Sequence, residues 1–282
     1  MSSITIVIPV KNEAKNLSRC IELASPLGQV LVVDSTSTDS TQEIAMDLGA
    51  EVLNFAWDGK FPKKRNWVLR NYNFCTEWVL FLDADEFITN EFIEEVKQAI
   101  SDTLHVGFWL SFSNYFMGKE LKGGDPFRKL ALFRIAAGEY EKIEEDNWSH
   151  LDMEVHEHPV LDGSVGQINT PIEHNDFRGL KHYIAKHNEY SSWEAARYIR
   201  LVQLKNRGPI SFNGAEWEGL TARQKKKYRN LAKWWFAPAY FTLNYFVKFG
   251  FRDGITGLHF ALLKAIYFYQ IRLKIQEALK EK

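Results

Sequence analysis

Short apolar segments alternate with short helical patterns through the first 85 residues, and few folds accept that order. Residues 4–10 are apolar and rich in Val and Ile, and residues 29–34, 50–55 and 78–83 repeat the character. These runs lack the apolar–polar alternation of a half-exposed strand, which marks strands covered on both faces. Helical patterns fall between them at 17–23, 42–48 and 64–72. Spacing this tight predicts parallel βαβ units. The expected fold is α/β, with a Rossmann-like, mostly parallel central sheet flanked by helices.

Beyond residue 100 the pattern changes. Residues 106–116 and 129–134 read as strands, with Gly123-Gly124-Asp125-Pro126 as a turn between them. Residues 139–157 are dense in carboxylates. Residues 180–204 read as a long helix that ends at Arg207-Gly208-Pro209. Asp253-Gly254-Ile255-Thr256-Gly257 reads as another turn, and 258–279 as a final helix. The chain has 282 residues, 45% of them apolar, which suffices for a sizeable core and excludes disorder.

A net charge of −1 conceals a split. The last 64 residues hold 13 Lys or Arg against 3 Asp or Glu, and 14 of the chain's 40 aromatics. The remaining 218 hold 22 basic and 33 acidic side chains. An acidic body with a basic tail points to an anionic surface as partner. Basic residues beside Trp and Tyr are the pattern of a segment lying on a membrane. The alternative is an aromatic helical subdomain packed on the core or on a second copy of the chain. No nucleic-acid-binding motif accompanies the basic residues.

The two cysteines, Cys20 and Cys75, form no C-x-x-C pair, which suits a reducing compartment. The first residues read as a strand and not as a signal peptide, and no stretch of ~18 uncharged apolar residues spans a bilayer. The expectation is a cytoplasmic protein, peripheral on the cytoplasmic face of the membrane.

The chemistry concentrates at strand ends. Asp83-Ala84-Asp85 closes an apolar strand, so two side chains of one sign point the same way. Ligands of open α/β sheets bind outside the carboxyl ends of strands. Paired hard oxygens there suit Mg²⁺ or Mn²⁺ against substrate phosphates. Alone, the pair also reads as a strand-end cap for the next helix. Val33-Asp34-Ser35-Thr36-Ser37-Thr38-Asp39 follows another buried strand. Asp34 would accept hydrogen bonds from a base or ribose, or close an Asx turn.

With Ile6-Val7-Ile8-Pro9-Val10-Lys11-Asn12-Glu13 and Phe81-Leu82-Asp83-Ala84-Asp85-Glu86, these blocks resemble family 2 glycosyltransferases of the GT-A fold. Lys64-Arg65-Asn66, Val155-His156-Glu157, His174 and Phe251-Arg252-Asp253-Gly254 are similar to the branch of WaaE-type lipopolysaccharide-core transferases. The resemblance implies a glycosyltransferase domain over 1–218 and a helical, aromatic and basic extension over 219–282. It implies inverting transfer from a nucleotide sugar, UDP-linked by family default, to a glycan or lipid-linked acceptor. By the same resemblance Pro9, Glu13 and Asp34 would hold the nucleoside. Arg65 would lie near the diphosphate, Asp83 at the ribose or metal, and Asp85 on the metal, Mn²⁺ or Mg²⁺. Where many relatives carry Gln before Arg-Asn, this chain has Lys64.

Inverting transfer needs one base for the acceptor hydroxyl. Glu157 is the first candidate, with Asp152 and Glu154 as rivals and Glu145-Asp146 as a further option. His156 is a candidate third metal ligand or phosphate contact, His158 and His174 weaker ones, and His182 and His187 packing residues. A sugar nucleotidyltransferase would want a Gly-rich loop after the first strand, and Pro9-Val10-Lys11-Asn12-Glu13 has no Gly. A haloacid-dehalogenase-type phosphatase would want Thr or Val where Phe87 stands. A non-catalytic membrane-bound sugar-nucleotide binder is the remaining alternative, opposed by the intact Asp34, Asp83 and Asp85.

Overall fold

The computed structural model describes residues 3–142, 152, 158–176, 178–203, 211–212 and 214–280. Packing divides the chain into two compact units. One comprises Met1–Glu120, Pro126–Asp146 and Leu151–Gly179; the other comprises Leu121–Asp125, Asn147–His150 and Leu180–Lys282.

The first unit opens with β1 (Ile4–Val10), α1 (Leu17–Ala24), β2 (Gln29–Asp34), α2 (Thr41–Asp47), β3 (Glu51–Asn54), α3 (Lys64–Asn71) and β4 (Trp78–Phe81). It continues with β5 (Glu86–Phe87), α4 (Asn90–Ser101), β6 (Gly107–Phe116), β7 (Lys119–Glu120) and β8 (Phe127–Arg134). It ends with β9 (Gly138–Tyr140), β10 (Pro159–Leu161) and β11 (Val165–His174). Among the described residues the main sheet runs β3-β2-β1-β4-β8-β6-β11-β5, with β7 paired to β6. The pairs from β3 to β4 are parallel, as is β6 with β11; β8 runs antiparallel to both its neighbours. This is the expected α/β architecture of a mostly parallel sheet with flanking helices.

Every residue of β1 and β4 is buried, Thr5 included, as their predominantly apolar character demands. α1 buries Leu17, Cys20, Ile21 and Ala24, the one-face spacing of an amphipathic helix. Thr89 caps α4 by accepting from the Phe92 N–H, and Phe92, Ile93, Val96 and Ile100 go inward.

Two segments depart from the sequence reading. The turn after β6 is Met117-Gly118, both residues at positive φ, and it leads into β7. The expected Gly123-Gly124-Asp125-Pro126 turn lies between β7 and β8, bending at Gly123 and Gly124 with Gly124 at φ +91°. β11 has no counterpart in the sequence pattern. Its apolar positions, Ile168 and Ile172, are four apart because the register shifts between them, where Thr170-Pro171 sits. Proline is tolerated at such irregularities because no ladder hydrogen bond is asked of it.

The second unit contains α5 (Leu180–Leu201), the short pair β12 (Val202–Gln203) and β13 (Ser211–Phe212), α6 (Ala215–Gly219), α7 (Ala222–Leu231), α8 (Phe236–Thr242) and α9 (Gly254–Lys280). The C-terminal helical extension is therefore present. Its core joins Ala195, Tyr198 and Leu201 of α5 to Tyr228 and Leu231 of α7 and Tyr267, Ile271 and Ile275 of α9. Thr221 and Gln224 form a reciprocal capping box that starts α7. The predicted turn at 253–257 is instead the junction of a 3₁₀ turn, Gly250–Asp253, with the first residues of α9. The Asp253 carboxylate accepts from the N–H groups of Lys122 and Gly123 at 3.0 and 2.9 Å. The Phe251-Arg252-Asp253-Gly254 motif thus anchors a loop 130 residues earlier in the chain.

Gly257 is required by close approach. A Cβ there would overlap the Gly250 carbonyl oxygen. Gly257→Ala is expected to destabilise the protein by about 3 kcal/mol, since packed backbone cannot yield like a side chain. A chemical-denaturation midpoint equal to wild type would contradict this.

Candidate active site

The carboxyl ends of β1, β2 and β4 make one rim. Val10 pairs with Asp34, and the Leu82 N–H donates to the Val7 carbonyl at 3.1 Å. Pro9 lies past the last β1–β4 pair, so its missing N–H costs no ladder bond. Residues 11–14 and 35–41 are laced together across the rim. Asn12 accepts from the Thr38 N–H at 2.8 Å, while Ser37 and Thr41 hydroxyls accept from the N–H groups of Asn12 and Glu13, each at 2.8 Å. Asp34 is fully buried. Its carboxylate accepts from the Ser37 N–H at 2.9 Å, the Gln42 amide at 2.6 Å and the Ser37 hydroxyl. In this structure Asp34 closes a turn.

Asp83 is held by two cations. Arg65 Nη2 lies 2.8 Å from one of its oxygens and Lys129 Nζ 2.5 Å from the other. Lys129 also pairs with Glu86, and Glu86 accepts from the Asp83 N–H at 3.0 Å. Burial alone would push Asp83 toward the neutral form; Lys129 and Arg65 override it and hold the carboxyl well below its usual range. Burial dominates at Glu86 and raises it, against the pull of Lys129. Burial would discharge Lys129, but Asp83 and Glu86 raise it above the ordinary lysine range.

Asp85 is buried beside different partners. His174 Nε2 is 3.5 Å and Arg178 Nη2 3.7 Å from its carboxylate. Asn114 fixes the other ring nitrogen of His174 at 3.0 Å. Burial favours neutral His174, yet Asp85 outweighs it and the imidazole pKa rises. Arg178 also grips Asp176 at 2.7 Å and pairs with Glu13. Five carboxylates, Glu13, Asp83, Asp85, Glu86 and Asp176, thus meet three permanent cations, Arg65, Lys129 and Arg178. The carboxylates outnumber these cations, although burial, which raises Glu86, and Asp85, which raises His174, both reduce the excess.

The donor chemistry fits a divalent cation. Asp85 offers the hard oxygen that suits Mn²⁺ or Mg²⁺, and His174 stands beside it as an imidazole. Among the described residues no group of three or more His, Cys, Asp or Glu is arranged as a preformed cage. Magnesium-type sites often use one or two carboxylates and complete the shell with substrate phosphates and water.

Lys64 has a defined place. Its buried ammonium donates to the Val10 carbonyl at 2.8 Å and lies 3.5 Å from Asp152, while its N–H donates to the Asp152 carbonyl at 3.1 Å. Burial lowers its pKa, and Asp152 opposes the fall. Asp152 therefore holds Lys64 beneath the rim. Glu145, Asp146, Glu154, His156 and Glu157 lie outside the described residues. His187 stacks on Tyr183 at 3.9 Å, a packing role.

The structure thus brings Glu13, Arg65, Asp83, Asp85 and His174 together. It adds Glu86, Lys129 and Arg178, which the sequence reading omitted. Lys129 carried a signal, being a charge next to the apolar run Leu130-Ala131-Leu132-Phe133. Arg178 carried none.

The chain is similar to several known proteins. One is an "uncharacterized glycosyltransferase" of Rickettsia felis, 25% identical, with 96% of this chain and 90% of that protein covered. Another is the "lipopolysaccharide core biosynthesis glycosyltransferase LpsC" of Rhizobium meliloti, 25% identical, covering 94% of this chain and 89% of LpsC. Among solved structures, glucosyl-3-phosphoglycerate synthase of Mycobacterium tuberculosis, crystallised with Mn²⁺ and UDP, is 22% identical. It covers 41% of this chain and 44% of that one at a TM-score of 0.32. The family assignment rests on the sequence match. The model of "Glycosyl transferase family 2" matches residues 5–153, more than half the chain, including Glu13, Asp34, Arg65, Asp83, Asp85 and Lys129, and the chain is a glycosyltransferase of that family.

Proposed function

We propose that the chain transfers a sugar, with inversion, from a UDP-sugar to a glycan or lipid-linked acceptor, in cell-surface polysaccharide or lipopolysaccharide core synthesis. The reading includes dependence on Mn²⁺ or Mg²⁺ and peripheral attachment to an anionic membrane on the cytoplasmic face. One observation carries it: the rim cluster sets the carboxylates Asp83 and Asp85 beside the cations Arg65, Lys129 and Arg178. A nucleotide diphosphate leaving group needs that mixture. Residues 1–218 supply the transferase domain and 219–282 the acceptor-side and membrane extension.

Asp85 and His174 would hold the divalent ion, with Asp83 as a further ligand. When bound, the ion supplies Lewis-acid stabilisation of charge developing on the leaving diphosphate. Arg65 and Lys129 share Asp83 and are positioned to turn a donor N–H or N⁺–H toward a phosphate oxygen. Pro9, Glu13 and Asp34 frame the nucleoside end of the rim. Glu157 takes the proton of the acceptor hydroxyl as it attacks in line. Asp152 is the alternative base, less suited because it is committed to Lys64. His156 is an additional candidate ligand.

A thermal-shift panel of UDP-, ADP-, GDP- and dTDP-sugars, each with and without Mn²⁺, tests the reading. The matching donor at about 100 times its Kd should add ~2.7 kcal/mol of stability, with the shift enhanced by the metal. No shift with any donor would refute it.

A further inference from the structure

The second unit displays an apolar helical face to solvent. α8 runs on through a π-helical turn, Leu243–Val247, and residues 234–247 contain no charged side chain. The buried side of this helix carries Ala237 and Asn244. Its exposed side carries Trp235, Pro238, Ala239, Thr242, Leu243, Phe246 and Val247, spaced three or four apart. Phe246 and Val247 are 55% and 61% exposed, Leu243 is 41% and Trp235 38%. A soluble helix normally has the opposite polarity.

The chain then turns at Phe249, which holds φ +58°, a left-handed conformation that a bulky residue adopts only under constraint. Phe249 packs on Phe251, Phe251 on Tyr245, and Tyr245 on Phe241 and Phe246, so the rings form one connected patch. Phe249 and Phe251 are themselves about half exposed. Lys233 precedes the uncharged stretch and Arg252 follows it, while Lys248 at its end is paired with Asp125.

We infer that residues 234–251 are an in-plane membrane-docking helix and loop that bind an anionic lipid surface. Fourteen uncharged residues span only ~21 Å as a helix, short of the ~30 Å hydrocarbon core. Among the described residues no helix is long and apolar enough to cross a membrane. Aromatic and aliphatic side chains on one face with cations at both ends suit the headgroup boundary. Charge selects the occupant. The last 64 residues carry 13 basic against 3 acidic groups, which attracts anionic lipid and opposes a second copy of the same surface. The inference deepens the membrane part of the proposed function and rests on it.

The test uses the full chain without donor or acceptor, so its outcome is independent of transfer. Wild type should co-sediment with phosphatidylcholine–phosphatidylglycerol vesicles and far less with pure phosphatidylcholine. The triple variant Leu243→Ser, Phe246→Ser, Val247→Ser should bind more than about tenfold more weakly with an unchanged melting temperature. Lys233→Gln should weaken binding to the anionic vesicles by about fivefold. Brominated lipid should quench Trp fluorescence in wild type, and Trp235→Phe should remove part of that quenching. The inference is overturned if wild type binds neither vesicle or if the triple variant binds as well as wild type. It is also overturned if the patch holds a dimer in solution that the triple variant splits, with no vesicle binding.

Discussion

Asp85→Ala is expected to abolish sugar transfer while leaving the fold intact. Asp85 joins the two arms of the rim, with His174 at 3.5 Å and Arg178 at 3.7 Å from its carboxylate. Removing it raises the cluster's net charge by one and takes away its best-placed hard oxygen ligand. Stabilisation of leaving-group charge by a bound ion is worth several kcal/mol, so the loss should be about 10³-fold or more in kcat. Stability should change little, because Arg178 keeps Glu13 and Asp176 as partners. The measurements are initial rates at saturating donor, Mn²⁺ titration by isothermal calorimetry, and a melting curve. A variant that keeps near-normal turnover, or that loses turnover only through unfolding, defeats the assignment. Asp83→Ala is a different perturbation, since it releases both Arg65 and Lys129.

Glu157→Gln should leave donor affinity unchanged and lower kcat by about 10²–10⁴-fold, the usual worth of a general base. The amide keeps the size of the side chain and cannot accept the acceptor's proton. The discriminating comparison is Asp152→Asn. Asp152 faces the buried ammonium of Lys64 at 3.5 Å, so its neutralisation leaves a buried cation poorly compensated. That variant should lose stability more than it loses intrinsic turnover. If Asp152→Asn instead abolishes kcat with a normal melting temperature, and Glu157→Gln does not, the two roles are exchanged.

The parts of this protein that follow a local rule were legible from residue order. Residues 78–81 are apolar throughout and 4–10 apolar except for Thr5, because helices cover both faces of a parallel sheet, and both are fully buried strands. The carboxylates at 83 and 85 stand at a strand's carboxyl end for the same reason, since strand direction settles which rim they occupy. β11 leaves no local signature because its two buried isoleucines are separated by an irregularity, which breaks the period that marks a strand. The start of α9 is not legible locally because glycines at 254 and 257 signal a turn. Gly257 is there for the helix to pass the Gly250 backbone.

Residue order alone identified an α/β scaffold, a family and a pair of acids at the rim. It did not show what the acids face. Lys129 reaches Asp83 across 46 residues and Arg178 reaches Glu13 across 165. Such partnerships depend on strand order, with β8 antiparallel beside β4 and β5 closing against β11. Local patterning records whether a side chain is buried. Which charges share a low-dielectric site, and so how each is held, is settled only when distant strands become neighbours.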